Sequence, residues 1–307
     1  MTLFRYVLVR LGFGVLTLIG ISLVVFLVMR SSGDPVDLSL PVSASAEQRA
    51  AVRHDLGLDD PLVLQYLDFA TSAAHGDLGN SIGYHLPVWD LISDGLWASV
   101  KLAFASVALA MVTGVALGVA SAARPGGVAD RLARLVSLLG MSMPTFWLGI
   151  VLILIFNTWV TWFPAAGDEG WKSLVLPAVT LALFPMAGWT KITRSAMTEV
   201  LNSDFIRLER LAGFRDRRIT WKYALKNVLV PAMSFLGLVL GPTVGGAVVV
   251  ETIFAWPGIG RLAVNAITQR DYPIIQGITL VITVIVVLVN IVVDIAYGII
   301  DPRLSRG

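Results

Sequence analysis

Long stretches without a charged side chain recur along this chain of 307 residues. The first runs from Leu11 to Met29, with Arg10 before it and Arg30 after it. As an α-helix it would span roughly 28 Å, which matches the hydrocarbon core of a bilayer. The composition is 56% hydrophobic and 14% charged, with a mean hydropathy of +0.78. A soluble domain of this size cannot cover so much apolar surface, so we predict an all-α integral membrane protein.

Five more apolar runs bring the predicted membrane spans to six. They occupy approximately 101–124, 134–168, 172–191, 226–251 and 274–300. Pro144 is expected to break the third run near its start, and the short fourth run contains Pro177 and Pro185. A cleaved signal peptide is the alternative for the first run. A signal peptide would normally be shorter and be followed by a small-residue cleavage site, so we favour an uncleaved span.

Residues 31–97 differ in character, because acidic side chains far outnumber basic ones there. Ser45 and Gln48 have the spacing of a capping box, and further helices are predicted between Asp60 and Gly76 and from Pro87 onwards. We therefore predict a small helical insertion rather than a linker. The resulting organisation is a terminal segment with the first span (1–30), the insertion (31–97) and a core of five spans (98–307).

Basic residues are concentrated in the loop 191–226, between the fourth and fifth runs. They are Lys191, Arg194, Arg207, Arg210, Arg215, Arg217, Arg218, Lys222 and Lys226. Because lysine and arginine accumulate in cytoplasmic loops, this distribution places the loop and both termini in the cytoplasm and the acidic insertion outside. The formal net charge of +2 gives no signal for nucleic-acid binding.

Within this loop the pattern predicts two helices separated by a glycine. Phe205, Leu208 and Leu211 recur at helical spacing. Gly213 stands where the first helix must end, and Asp216 is placed to cap a second helix that runs to Pro231. An apolar stripe with a basic rim suits docking on another protein. An ordinary positive-inside loop is the alternative.

The loop resembles that of a known family of membrane proteins. It reads Asp204-Phe205-Ile206-Arg207-Leu208-Glu209-Arg210-Leu211-Ala212-Gly213, then Arg217-Arg218, then Tyr223-Ala224-Leu225-Lys226-Asn227-Val228-Leu229-Val230-Pro231. This is similar to the cytoplasmic "EAA" coupling loop of permease subunits in binding-protein-dependent ATP-binding-cassette (ABC) importers. The match is closest to the first permease of the pair in the dipeptide, oligopeptide and nickel permease family. Family members usually have Thr-Ala in place of Leu208-Glu209 and Ala-Lys in place of Leu211-Ala212.

Similar matches extend over essentially the whole chain. They lie at 33–36, 56–62, 65–66, 75–81, 142–149, 251–260 and 271–273, and near the C-terminus at 290–303. The resemblance implies a type I ABC importer permease fold in the bacterial cytoplasmic membrane, with six transmembrane helices and an extracytoplasmic helical insertion after the first. The partners it implies are membrane lipid, a second homologous permease, two ATPase subunits and an extracytoplasmic substrate-binding protein.

The resemblance also assigns roles to particular residues. The ATPase-docking site would comprise Asp204, Phe205, Arg207, Leu208, Glu209, Gly213, Arg217 and Arg218. The translocation path would include Pro144 and the stripe Gly237, Gly241 and Gly245, for which packing within the subunit is the alternative. A second stripe in the second span has the same spacing: Ala110, Gly114, Gly118 and Ala122. An outer gate loop would comprise Glu251, Phe254, Trp256, Pro257, Gly258 and Gly260, for which a rigid turn anchoring the sixth span is the alternative.

The implied function is that of a permease subunit importing di- or oligopeptides, with nickel-chelate or glutathione import as alternatives. A secondary transporter driven by an ion gradient is a weaker alternative, because its one candidate acid, Asp294, lies near the membrane edge. The chain lacks a phosphate-binding glycine loop followed by Lys-Ser/Thr, so ATP and Mg²⁺ are expected on partner subunits and no enzymatic activity here. It has no cysteine, and its histidines match no metal motif.

Overall fold

A computed structural model describes residues 3–31, 36, 40, 44–55 and 57–300. At 3–8, 55, 230, 240, 242, 244, 290 and 292–300 it describes the backbone only. Helices dominate, and within these ranges an isolated bridge between Asn80 and Pro87 is the one β-pairing. The all-α prediction is confirmed. The chain divides into two compact units, one of residues 1–97 with 258–307 and one of residues 98–257.

The helices are numbered here in their order along the chain. In chain order they are α1 (Leu3–Ser31), α2 (Ala46–Asp55), α3 (Leu62–Ala74), α4 (Val88–Ala123), α5 (Val128–Ser142), α6 (Thr145–Ile155), α7 (Trp171–Leu201), α8 (Asp204–Leu211), α9 (Asp216–Arg218), α10 (Leu225–Ile253), α11 (Ile259–Gln269) and α12 (Tyr272–Ile300). Two π-helical turns, Phe156–Val160 and Ile219–Ala224, follow α6 and precede α10.

The long apolar helices coincide with the predicted spans. Over the described residues, α1, α4, α7 and α12 are each long and apolar enough to cross a membrane. Together, α5 and α6 with its π-turn form a further candidate span that bends by 113°. The helix α10, of 29 residues, occupies the predicted fifth span, although several of its side chains lie outside the described part.

Prolines act differently in the third and fourth spans. As predicted, the third run breaks at Pro144, since α5 ends at Ser142 and α6 begins at Thr145. The fourth run, predicted at 172–191, lies within a longer helix. The helix α7 passes through Pro177 and Pro185 and continues to Leu201. Each proline removes a backbone hydrogen bond from the helix, and burial among neighbouring helices compensates for this loss.

In the unit of residues 1–97 and 258–307, the capping box is confirmed. The amide of Ser45 donates to Gln48 Oε1 at 2.9 Å, and the amide of Gln48 donates to Ser45 Oγ at 3.2 Å. Asp60 does not cap α3, because Pro61 occupies the N-cap without a side-chain bond. The helix predicted from Pro87 is α4, which runs on without interruption to become the second span.

Further contacts close this unit. A Cβ placed on Gly14 would lie 2.6 Å from Val287 Cγ1, so α1 and α12 pack closely there. The buried carboxylate of Asp271 accepts hydrogen bonds from Ser81 Oγ at 2.5 Å and from the amide of Gly83 at 2.9 Å. These bonds hold the turn that precedes α4 against the start of α12.

In the unit of residues 98–257, α7 is the central helix. Glycines of its neighbours allow close approach: a Cβ on Gly140 of α5 would lie 2.6 Å from the carbonyl oxygen of Leu183. The fully buried Trp189 of α7 donates from Nε1 to the carbonyl oxygen of Ala232 on α10 at 2.9 Å. The core of this unit therefore forms around one long helix.

Some sequence-based predictions fall outside the described residues. These are the turn at Gly33–Pro35, the side chain of Asp294, and the C-terminal match at 301–303.

Candidate functional site

The predicted docking helix is α8, and Ile206 is the one buried residue among its described residues. Ile206 is fully buried and belongs to a hydrophobic cluster that includes Met197 of α7 and Ile219 of the second π-turn. The ion pair between Arg207 and Asp204, at 3.1 Å, is exposed on both sides. Such a pair contributes little to stability, so Ile206 is the main attachment of α8.

The opposite face of α8 is apolar and open. Leu208 is 66% exposed and Leu211 84% exposed, and Phe205 is exposed beside them. These three residues are spaced by three, so they lie on one side of the helix. Glu209 has a buried carboxylate oxygen, Oε2, that finds no hydrogen-bond donor among the described residues. The open face thus presents apolar area, whereas the unsatisfied carboxylate oxygen lies buried behind it.

Gly213 ends α8 in the way its position predicts. Its φ of +80° lies in the left-handed region, which residues with a Cβ adopt at a cost. The amide of Gly213 donates to the carbonyl oxygen of Arg210, and the amide of Phe214 donates to that of Glu209. These two bonds form a Schellman motif, which caps the last carbonyls of the helix.

The return segment differs from the prediction. Asp216 is the first residue of α9 rather than a side-chain cap, because Arg215 takes the N-cap position. The expected end at Pro231 was wrong: after the π-turn, α10 continues through Pro231 to Ile253. The guanidinium carbon of Arg218 lies 4.9 Å from the ring centroid of Phe214, while Arg217 is exposed. The two arms therefore form a hairpin with cations on its return side.

An ion-pair cluster beside this hairpin was not predicted. Asp130 of α5 is 2% exposed, and its carboxylate accepts from Arg194 Nε at 2.9 Å and from Ser121 Oγ at 2.8 Å. The amide of Gly126 donates to it at 2.9 Å, and Arg134 pairs with it at 3.1 Å. The hydrogen bonds from Gly126, Ser121 and Arg194, together with the charge of Arg134, lower the pKa of Asp130 to about 2, so it stays ionised.

The cluster joins three helices at the base of the docking hairpin. Ser121 lies in the last turn of α4, and Asp130 lies in the first turn of α5. Arg194 lies on the part of α7 that leads to α8. A single acid among Arg124, Arg131 and Arg134 was the signal available in the sequence. A buried carboxylate with two arginine partners holds these helices in one arrangement.

The residues predicted for the translocation path lie on two helix surfaces. Pro144 is exposed at the N-terminus of α6. Gly237, Gly241 and Gly245 lie on α10, and the last two are exposed. A Cβ on Gly241 or Gly245 would have no heavy atom of the described chain within 4 Å. This face of α10 is therefore open in the subunit.

The predicted outer loop is held by contacts within the chain. Phe254 and Trp256 are buried in the same cluster, and Trp256 Nε1 donates to the carbonyl oxygen of Ala98 at 3.0 Å. The buried Glu251 accepts from Ser99 Oγ at 2.5 Å.

The remaining loop positions lead into the next helix. Pro257 is exposed, while Gly258 takes the N-cap of α11 and Gly260 is buried in its first turn. The burial of the two aromatic residues favours the anchoring alternative for this loop, and the gate stays a prediction.

Comparison with known families gives two matches that together extend over nearly the whole chain. The model described as "Binding-protein-dependent transport system inner membrane component" matches residues 114–306. The model described as "Binding-prot-dependent transport system membrane comp, N-term" matches residues 3–103.

Several characterised proteins are similar over their full length. The oligopeptide transport system permease protein AppB of Bacillus subtilis (strain 168) is 38% identical, over 98% of this chain and 99% of that protein. The di/tripeptide transport system permease protein DppB of Pseudomonas aeruginosa (strain UCBPP-PA14) is 36% identical, over 97% of both. The glutathione transport system permease protein GsiC of Escherichia coli O6:H1 is 35% identical, over 98% of both.

A solved structure supports the fold. The MetNI methionine ABC transporter, in an inward-facing conformation, superposes with a TM-score of 0.54 at 20% identity. The match covers 69% of this chain and 96% of that one. The chain therefore belongs to the family of binding-protein-dependent transport system inner membrane components, and it is a multi-pass permease subunit of an ABC importer with the type I permease fold.

Proposed function

We propose that this chain forms half of the path by which an ATP-driven importer carries di- or oligopeptides across the bacterial cytoplasmic membrane. In this proposal α8 docks on an ATPase subunit. The observation that carries it is the apolar face of Phe205, Leu208 and Leu211, which is exposed although the helix itself is anchored by Ile206. Exposed apolar surface of this kind marks sites of protein association.

The geometry suggests how movement would pass from the ATPase into the membrane. Closure of two ATPases would displace α8, which follows α7 after a turn at Asn202 and Ser203. Ile206 would transmit this displacement to the cluster with Met197, and the Asp130 cluster would make α4, α5 and α7 move together. Rigid-body rotation of packed helices is an established means of switching access.

The cargo proposal rests on the relatives. Proteins named for oligopeptide and di/tripeptide transport are 38% and 36% identical to this chain. Glutathione, itself a tripeptide, stays the main alternative because GsiC is 35% identical. Ligand binding to the cognate extracytoplasmic binding protein would decide between them. Micromolar affinity for dipeptides with none for glutathione is the expected result, and the reverse would overturn it.

Orientation is part of the proposal. The concentration of basic residues in the loop 191–226 supports cytoplasmic termini and an extracytoplasmic insertion. The chain has no native cysteine, so single cysteines report cleanly. A membrane-impermeant thiol reagent applied to intact cells lacking an outer membrane should label Glu47→Cys and spare Asn202→Cys. Labelling of Asn202→Cys alone would invert the topology.

Docking is tested by co-purification with the genomically encoded partner subunits. Leu211→Asp places a charge on the most exposed residue of the apolar face, and should weaken ATPase capture about tenfold or more. Leu86→Asp is the matched control, because Leu86 is an exposed leucine on the insertion. Capture unchanged by Leu211→Asp, or equally weakened by both variants, would overturn the docking role.

A further inference from the structure

The unit of residues 1–97 and 258–307 contains an apolar groove of about 560 Å³. Its walls come mainly from α1 (Ile19 and Ser22), α3 (Phe69 and Ala73) and α12 (Val281 and Val284), and the start of α4 adds Trp89 and Leu96. The groove therefore runs between two membrane spans and a helix of the insertion. The sequence alone predicted that this helix belongs to an appendage outside the membrane.

The groove lies at a depth that belongs to the hydrocarbon layer. On α1 the uncharged run ends at Met29, and Ser22 lies about 10 Å further in along the helix axis. On α12, Val281 and Val284 lie within the apolar stretch Tyr272–Val289. A groove between these positions opens into lipid rather than into water.

The polar atoms in the walls satisfy one another. Tyr66 Oη donates to Ser22 Oγ at 2.9 Å and lies 3.3 Å from the carbonyl oxygen of Ile19. The hydroxyl of Ser22 donates to the same carbonyl at 3.0 Å. These groups tie α3 to α1 and are engaged with each other. Such walls suit an alkyl chain.

The outer side of α3 is apolar over its first two turns, and the exposed polar residues Asp68, Thr71 and Ser72 follow. None of its 13 residues, all of which the structure describes, is buried. Val63 is 69% exposed, and Leu62, Leu64 and Leu67 are each about half exposed. A helix with large aliphatic residues on its free side, fixed at this depth beside α1, has hydrocarbon as its natural surroundings.

A cation lies beside the groove, on the side nearest the membrane surface. The guanidinium of Arg30 lies 5.3 Å from the ring centroid of Phe26, which in turn contacts the rings of Tyr66 and Phe69. The Nε atom of Arg30 is buried and has no hydrogen-bond partner among the described residues. An arginine above an alkyl-lined groove matches the phosphate and acyl chain of a phospholipid.

We propose that α3 is embedded in the leaflet at the carboxyl end of α1, and that the groove holds one acyl chain of a phospholipid whose phosphate meets Arg30. The bound lipid completes the contact between the insertion and the spans. The site does not depend on the cargo or on ATPase docking.

Depth is tested on the complete transporter in nanodiscs by measuring the label on this subunit, which has no native cysteine. Leu67→Cys and Val63→Cys should resist a water-soluble maleimide, whereas Glu47→Cys on α2 should react. Protection should disappear on unfolding in detergent. Reaction of Leu67→Cys as fast as Glu47→Cys would overturn the embedding of α3.

Occupancy is tested by native mass spectrometry of the complex purified from phospholipid nanodiscs. Ala73→Trp fills the groove, and should remove a phospholipid that the native complex retains. Leu64→Trp adds the same bulk to the free side of α3 and should retain it. Arg30→Gln should lower retention of that phospholipid. Equal lipid retention in all variants, or cross-linking of Ala73→Cys to the second permease, would overturn the site.

Discussion

Two helices of the unit 98–257 carry small residues at intervals of four, and their surroundings are opposite. On α4, a Cβ at Gly114 would lie 2.8 Å from the carbonyl oxygen of Met186, and one at Gly118 would lie 2.7 Å from Thr193 Cβ. On α10, the same addition at Gly241 or Gly245 would have no described atom within 4 Å. The first stripe is covered by α7, and the second is open.

The difference shows what a small-residue stripe specifies. It removes side chains from one helix surface, and so permits close approach of any neighbour. The stripe does not determine which helix or molecule packs against it. On α4 the neighbour is a helix of the same chain, whereas the open face of α10 is available to a second subunit or to cargo. Substitutions can separate these two cases. Larger residues in the stripe of α4 should lower the stability of the protein, whereas larger residues in the stripe of α10 should lower its transport rate.

Gly118→Leu should have the largest effect on stability. The added side chain would collide with the backbone and side chains of α7 at Thr190 and Thr193, which cannot move without displacing the central helix. Overpacking of this kind costs about 1–3 kcal/mol, and more where backbone must shift. Thermal unfolding of the purified complex measures it. Gly245→Leu is the matched control, and an equal fall in Tm for both would contradict the distinction.

Asp130→Asn should have the next largest effect, at the inner end of the same contact between α4 and α7. The amide can still accept from Ser121, but it loses the charge that pairs with Arg194 and Arg134. We expect a smaller fall in Tm than for Gly118→Leu. Transport per ATP hydrolysed should fall further than Tm, because α7 would no longer move with its neighbours. If transport per ATP hydrolysed were unchanged, the Asp130 cluster would have only a structural role.

The same carboxylate has a defined pH dependence. Its pKa is lowered to about 2, below the ordinary value of 3.8, chiefly by the hydrogen bond from Gly126. The stabilisation is therefore fully present above the ordinary pKa and is lost as the pH falls towards 2. Between pH 5 and pH 8, the Tm difference between native and Asp130→Asn proteins should be constant.

Gly213→Ala should lower Tm less than the two previous substitutions, because it changes only the cost of a backbone conformation and creates no steric clash. At φ +80° an alanine costs about 1 kcal/mol, although a Cβ there meets no described atom within 4 Å. Gly79→Ala is matched to it, with φ +78° and equally open space. Both should lower Tm slightly, but Gly213→Ala alone should reduce ATPase capture. If both variants captured the ATPase equally well, Gly213 would have no specific role in docking.

The positions of the helices were predicted from the sequence more accurately than the contacts between them. Apolar length and the capping box of Ser45 and Gln48 located helices, because these signals act within a few residues. The continuation of α7 beyond the predicted span to Leu201 was missed, since it depends on packing against helices distant in sequence. The pairing of Asp130 with Arg194 was missed for the same reason. Equal spacing on α4 and α10 could not reveal which stripe was covered.

Gly245→Leu should change stability least, and it tests the open stripe directly. Leucine has the higher helix propensity by up to about 1 kcal/mol and meets no described atom, so Tm should hold or rise slightly. If this face borders the translocation path, transport should decline with side-chain size through Gly245→Ala, Gly245→Leu and Gly245→Phe. Gly20→Leu on α1 is the control, because that glycine also faces open space. A transport rate independent of size, with the complex intact, would place the path elsewhere. A size-dependent loss of the second permease from the purified complex would instead assign the stripe to the subunit interface.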